Sequence, residues 1–132
     1  MGMEQTVVFA KDGVPAWTAV SDLLDRRGFP VHVRMIDNEL AMPGEFPQGS
    51  WNELRVGTPQ GMITVRRESD RVRCITWGNA DGPLVQAWNA VAWAFADAGG
   101  GRVMSPDGPR NADDFEATAD LPVVLRGNDG AN

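Results

Sequence analysis

Residues 62–77 read MITVRRESDRVRCITW. Two runs rich in β-branched residues, Met62–Arg67 and Arg71–Trp77, flank the polar triplet Glu68-Ser69-Asp70. That arrangement predicts an antiparallel hairpin. Apolar residues alternate with arginines in both runs, so one face of the hairpin is apolar and the other is charged. A sheet with one buried and one wet face follows, and it needs helices to cover the apolar side.

Outward from the hairpin, the same alternation recurs. Thr6–Lys11 reads as an inner strand with apolar residues on both faces. Val31–Met35 carries Val31, Val33 and Met35 against His32 and Arg34. Trp51–Thr58 turns Leu54 and Val56 inward. Arg102–Ser105 is a short strand, and Leu121–Leu125 is an edge strand or an extended strap. Residues 39–50 hold Pro43, Gly44, Pro47 and Gly49 and read as a loop.

Two main helices are predicted. The first opens at Pro15, carries the stripe Trp17, Val20, Leu23 and Leu24, and stops at Gly28. The second opens at Pro83 and closes at Gly99-Gly100-Gly101. Asn111 is placed to cap a short third helix containing Phe115. The predicted fold class is α+β: a two-layer sandwich with a mostly antiparallel sheet of about five or six strands and two main helices packed on one face. The other face is open and arginine-bearing, and the C-terminal strap partly crosses it. Strand, turn, helix and strand follow one another twice, from Val7 to Val33 and from Ile75 to Val103. Each unit is a candidate βαβ crossover.

The chain has 132 residues, 42% hydrophobic and 23% charged, which predicts one domain over 1–126 with a frayed tail over 127–132. A net charge of −6 and a pI near 4.6 argue against generic nucleic-acid or anionic-membrane binding. Cys74 is the single cysteine, so no intramolecular disulfide can form; a reducing cytoplasm is the expected compartment. The start of the chain shows neither a basic nor an apolar signal region, and no apolar run is long enough for a membrane span. Eleven arginines against one lysine fit a GC-rich bacterial genome.

Charge is unevenly placed. Between Leu54 and Arg73, five arginines face only Glu68 and Asp70. From Val103 onward, Arg110 and Arg126 face six carboxylates. The predicted open face therefore gathers His32, Arg34, Arg55, Arg66, Arg71 and Arg73. Of these, Arg34, Arg55, Arg66 and Arg73 form a candidate surface for an anion or an acidic partner, because guanidinium forks match carboxylates.

A helical wheel of about 100° per residue groups Leu84, Trp88, Val91 and Phe95 on one arc of the second helix. Gln86, Asn89 and Asp97 fall opposite, and Trp93 falls among them. An outward-facing indole ringed by polar side chains is a candidate protein anchor. The expected function is that of a non-enzymatic interaction or self-associating domain, either a homodimer or one half of a protein pair. The alternative is a small anionic-ligand domain or weak enzyme. It has a cleft at the strand–helix turn Asn79–Gly82, built from Trp77, Asn79 and Asp81.

No catalytic constellation is legible. His32 is the only histidine, and its place in mid-strand beside Arg34 reads as a solvated strand residue rather than a catalytic base. One histidine and one cysteine do not make a structural zinc site, and the acidic run around Asp113 lacks the order of a calcium loop. No metal and no cofactor is expected.

Overall fold

The computed structural model describes residues 3–125 apart from 43, 48, 78–80 and 106–107. The expected tail over 127–132 lies outside the described residues. The fold is α+β, built on one large antiparallel sheet. Its strands are β1 (Met3–Val8), β2 (His32–Ile36), β3 (Glu39–Leu40), β4 (Glu53–Thr58), β5 (Gly61–Arg67), β6 (Arg71–Thr76), β7 (Arg102–Ser105) and β8 (Gly108–Asn111). They lie in the order β3-β2-β4-β5-β6-β1-β7-β8. The helices are α1 (Trp17–Arg26), α2 (Gly82–Gly99) and α3 (Ala112–Thr118), with a fourth helical stretch at residues 123–125.

The sheet has eight strands where five or six were expected. Two of the additions are short edge pieces. β3 returns on β2 through Asp37 and Asn38, both at positive φ (49° and 70°). That backbone closes a two-residue hairpin, and Asp and Asn tolerate it better than most residues. β8 pairs with β7 although it contains Pro109, which an edge strand accepts because one side of it makes no ladder.

The β5–β6 hairpin forms as its alternation requires, with Val65 opposite Cys74 and Arg66 opposite Arg73. Register carries this alternation across the sheet. Leu54 faces Val65, Val56 faces Ile63, and Val7 faces both Val72 and Val103; all of these side chains are fully buried. They form the face on which α2 lies, in contact with β5, β6, β1 and β7 and flanked by α1 and α3. Gln5 shares that face and donates to Asn89 Oδ1 on α2 (3.0 Å), while Trp88 Nε1–H donates to the Cys74 carbonyl (2.8 Å). Trp17 and Trp51 each meet the ring of Phe95, with centroids 6.0 and 6.5 Å apart.

Local signals place the helix ends. Asp81 caps α2 by accepting from Leu84 N–H (2.9 Å), and Gly100 ends it at φ 66°. Asn111 caps α3 by accepting from Asp114 N–H (2.8 Å). Pro15 lies ahead of α1, whose N-cap is Ala16. Trp17, Val20 and Leu24 are buried, with Leu23 packed against the core at its margin.

The two strand–helix–strand units are not simple crossovers. β1 is inserted between β6 and β7, so the strands joined by α2 run in the same direction without touching. β1 and β2 also run in the same direction, with β6, β5 and β4 between them. The C-terminal segment does not cross the open sheet face as expected. Asp120 accepts from Gln86 and Asn89 of α2, and Leu125 O accepts from Arg27 at the end of α1. The strap therefore closes over the helices, where Leu121 and Leu125 are fully buried.

Candidate binding surface

Trp93 does not project outward. Its side chain is 1% exposed, in the middle of a helix buried on nearly every side from Ala87 to Ala96. A helix apolar all round is a central helix, and its wheel has no solvent face to assign. The side chains read as a polar rim serve the strap instead. Asn89 is buried and bridges Gln5 to the Asp120 carbonyl, and Gln86 holds the Asp120 carboxylate (3.0 Å). Asp97 alone of that set is exposed. The guanidinium of Arg27 sits 5.0 Å from the centroid of the Trp93 ring, and Arg27 also pairs with Glu116 (3.5 Å). The Trp93 indole N–H is buried without a hydrogen-bond partner among the described residues.

The opposite face of the sheet is open, and the register puts the predicted arginines there. Arg55 lies opposite Thr64, Thr64 opposite Ile75, and Ile75 opposite Glu4. One step along, Glu53, Arg66, Arg73 and Thr6 form the next row. Arg66 and Arg73 are directly opposed like charges, a destabilising pair by itself. Carboxylates on the same face relieve it: Glu53 binds Arg66 (3.0 Å), and Glu68 (3.2 Å) and Glu4 (3.9 Å) flank Arg73. Arg71 is held by Asp70 (3.0 Å), and this guanidinium keeps the Asp70 carboxyl below its ordinary value. Arg67 belongs to the other side, where it donates to the Trp51 carbonyl and stacks 5.2 Å from the Trp51 ring.

Arg55 and Arg34 have no acidic partner among the described residues. A bulge in β2 accounts for the position of Arg34. Val33 pairs with Val56 while Met35 pairs with Arg55, so residues 34 and 35 together oppose one residue. Met35 therefore joins the open face rather than the core, contrary to the simple alternation. Arg34 lies over Gly57, where an added Cβ would come within 3.0 Å of its Nε.

Trp77 follows β6 and is 55% exposed. It is nevertheless held in place. Its Nε1–H donates to Thr64 Oγ1 (2.9 Å), and Arg66, itself fixed by Glu53, lies 5.9 Å from its ring centroid. The indole thus lies back along the sheet beside Ile75, which is 3% exposed although it points to the open face. Trp77, Met62, Thr64 and Arg55 line a shallow depression of about 370 Å³. Its lining thus combines an indole with a guanidinium that has no acidic partner among the described residues. Such a site accepts an apolar group and a carboxylate side by side.

The structure joins Arg55 and Arg66 of the predicted arginine face with Trp77 of the predicted cleft. Of the other predicted cleft residues, Asp81 caps α2 by accepting from Leu84 N–H, and Asn79 lies outside the described residues. Met62 and Thr64 were missed as site residues. Their parity with Arg66 in β5 already put them on its face, but only the backward lie of Trp77 makes them walls of one depression.

His32 is exposed on the outer strand β2. Among the described residues, no three or more His, Cys, Asp or Glu side chains gather as metal ligands, and no helix is long and apolar enough to cross a membrane. Burial pushes the Cys74 thiol up to about 12, with the charge of Glu4 adding to the effect. A thiol-disulfide reagent at pH 8 is therefore expected to leave folded protein unmodified and to label one thiol per chain in denaturant. Rapid labelling of the native protein would contradict this burial. No family model matches the chain, and no curated protein or solved structure is significantly similar to it.

Proposed function

We propose that this chain is a non-enzymatic protein-interaction domain whose working surface is the open face of the sheet. Its partner presents an acidic segment. The observation that carries the reading is Trp77, a largely exposed indole immobilised by Thr64 and Arg66 beside Arg55, which has no acidic partner among the described residues. A side chain already fixed in place loses little entropy on binding, and tryptophan with arginine is the commonest energetic centre of protein interfaces. The acidic helix α3 packs on the α2 side, so it leaves the field of the arginine face in place.

Affinity capture with wild type, Trp77→Ala and Arg55→Glu immobilised side by side tests the proposal. A partner retained by wild type is expected to fall at least tenfold on either variant and to elute as salt rises. Both side chains are exposed enough that thermal midpoints should stay close to wild type. Partners captured equally by all three baits, or binding insensitive to salt, would overturn it. Recovery of a small anionic metabolite in place of a protein would favour the ligand-binding alternative at the same depression.

A further inference from the structure

Gly57 has no backbone reason to be glycine. It lies inside β4, its φ is outside the left-handed region, and glycine weakens a strand interior. Its neighbours set it apart. A Cβ at Gly57 would come within 3.0 Å of Arg34 Nε, 3.5 Å of Arg34 Cγ and 3.6 Å of Met62 Sδ. The missing side chain is therefore a seat into which Arg34 folds from the bulge in β2. Arg34 also borders a groove beside α1 together with His32 and Glu45, but its Cγ and Nε lie over Gly57. Glu45 of that groove accepts instead from Met42 N–H (2.9 Å).

The seat brings a second guanidinium to the edge of the depression that Arg55, Met62, Thr64 and Trp77 line. The register lays the surface out in two rows. In one, Arg55 faces Thr64 and then Ile75. In the next, Gly57, with Arg34 over it, faces Met62. Gly57 and Arg55 are two residues apart on one strand, so the rows are separated by about 7 Å. Neither Arg34 nor Arg55 has an acidic partner among the described residues, and Glu53 on the same face of β4 is bound by Arg66 (3.0 Å). Cationic side chains thus stand on the β4 side, while Met62 and Trp77 expose apolar surface on the β5–β6 side.

Alternate residues of an extended peptide repeat at the same distance of about 7 Å. Two carboxylates separated by one residue therefore match the two rows, each meeting a guanidinium fork, and a neighbouring apolar side chain reaches Met62 and Trp77. Resting on the reading of the arginine face as the working surface, we infer that it recognises a paired-carboxylate segment of a partner protein. Gly57 is the positioning residue, because its seat orders Arg34 before the partner arrives.

NMR titration of isotope-labelled protein with two peptides, blocked at both ends, tests this. One is Gly-Leu-Gly-Glu-Gly-Glu-Gly; in the other the last glutamate is glutamine. The Nε–H signals of Arg34 and Arg55 and the Trp77 indole N–H report on the site. Wild type is expected to bind the two-carboxylate peptide about fivefold more tightly than the other. Arg34→Gln and Gly57→Val should each abolish that preference, and the double variant should bind no worse than Arg34→Gln, since both changes remove one contact. Thermal midpoints check that every variant is folded. Equal affinity of wild type for the two peptides, or no binding of either up to about 5 mM, would refute the paired-carboxylate reading. So would inorganic phosphate binding as tightly as the two-carboxylate peptide, the mark of one compact anion. A preference lost in Arg34→Gln but kept in Gly57→Val would refute the seat. Binding lost in Trp77→Ala and Arg55→Glu but unchanged in Arg34→Gln would remove only this inference and leave the arginine face as the working surface. Binding unchanged in Trp77→Ala and Arg55→Glu would count against the arginine face itself.

Discussion

Trp93→Ala is expected to destabilise the fold by about 3–5 kcal/mol, the usual cost of removing a large aromatic from a core. In a chain of this length that lowers the thermal midpoint by roughly 10–20 °C. The ring is enclosed by its own subunit and carries the Arg27 guanidinium at 5.0 Å, so its loss leaves a cavity that α2, held on every side, closes poorly. Trp93→Phe should cost much less, about 1–2 kcal/mol, because it keeps most of the ring and removes an indole N–H that is buried without a partner. Urea denaturation of the three proteins reads both differences. Stability of Trp93→Ala within about 1 kcal/mol of wild type would show that the ring is not core.

Gly101→Ala has the next largest expected effect, about 2–3 kcal/mol. A Cβ there would lie 2.6 Å from Phe9 Cε1 and 2.8 Å from the Val8 carbonyl oxygen. Rotation of Phe9 relieves the first contact, but the second is to backbone, so β1 or the start of β7 must move. Gly100→Ala meets open space, yet its φ of 66° belongs to the left-handed region; the cost there is about 1–2 kcal/mol. The three consecutive glycines therefore serve two needs, a helix stop and a close strand approach. The predicted order of destabilisation, Gly101→Ala above Gly100→Ala, separates them. The reverse order in chemical denaturation would mean that β1 and β7 have room at this crossing.

Much that rested on neighbours in sequence was legible beforehand, although β1 spans Met3–Val8 rather than Thr6–Lys11. The β5–β6 hairpin, the buried stripe of α1, the Asn111 cap and the glycine stop of α2 each need only a few consecutive residues to specify them. β3 and β8 were missed because Glu39-Leu40 and Gly108–Asn111 have little strand propensity of their own and acquire order by pairing. The Asp37-Asn38 dipeptide was the available signal for β3, and it lay inside a segment that its prolines and glycines made look like loop. The bulge at Arg34 and Met35 shifted one residue to the open face without leaving a mark in the alternation.

The candidate site divides along the same line. Period-two alternation put Arg55, Arg66 and Arg73 on one face, since parity along a strand is a local property. Which arginine remains unpaired is not local. Glu53 and Glu4 come to Arg66 and Arg73 from β4 and β1, Glu68 from the hairpin turn, and among the described residues no carboxylate comes to Arg55. Trp77 and Trp93 make the contrast sharpest. A helical wheel tells which side of α2 an indole occupies, but not how many sides the protein covers.

The amino-acid order by itself determined an α+β chain, a sheet with one apolar and one arginine-bearing face, and the ends of the main helices. These follow from side-chain periodicity and from capping, which act over a few residues. Only the tertiary structure decided that β1 enters between β6 and β7, that Trp93 is buried with Arg27 over its ring, and that Trp77 is the tryptophan left facing solvent. Those outcomes depend on which distant segments compete to bury the same apolar surface, and that competition is settled by packing of the whole chain.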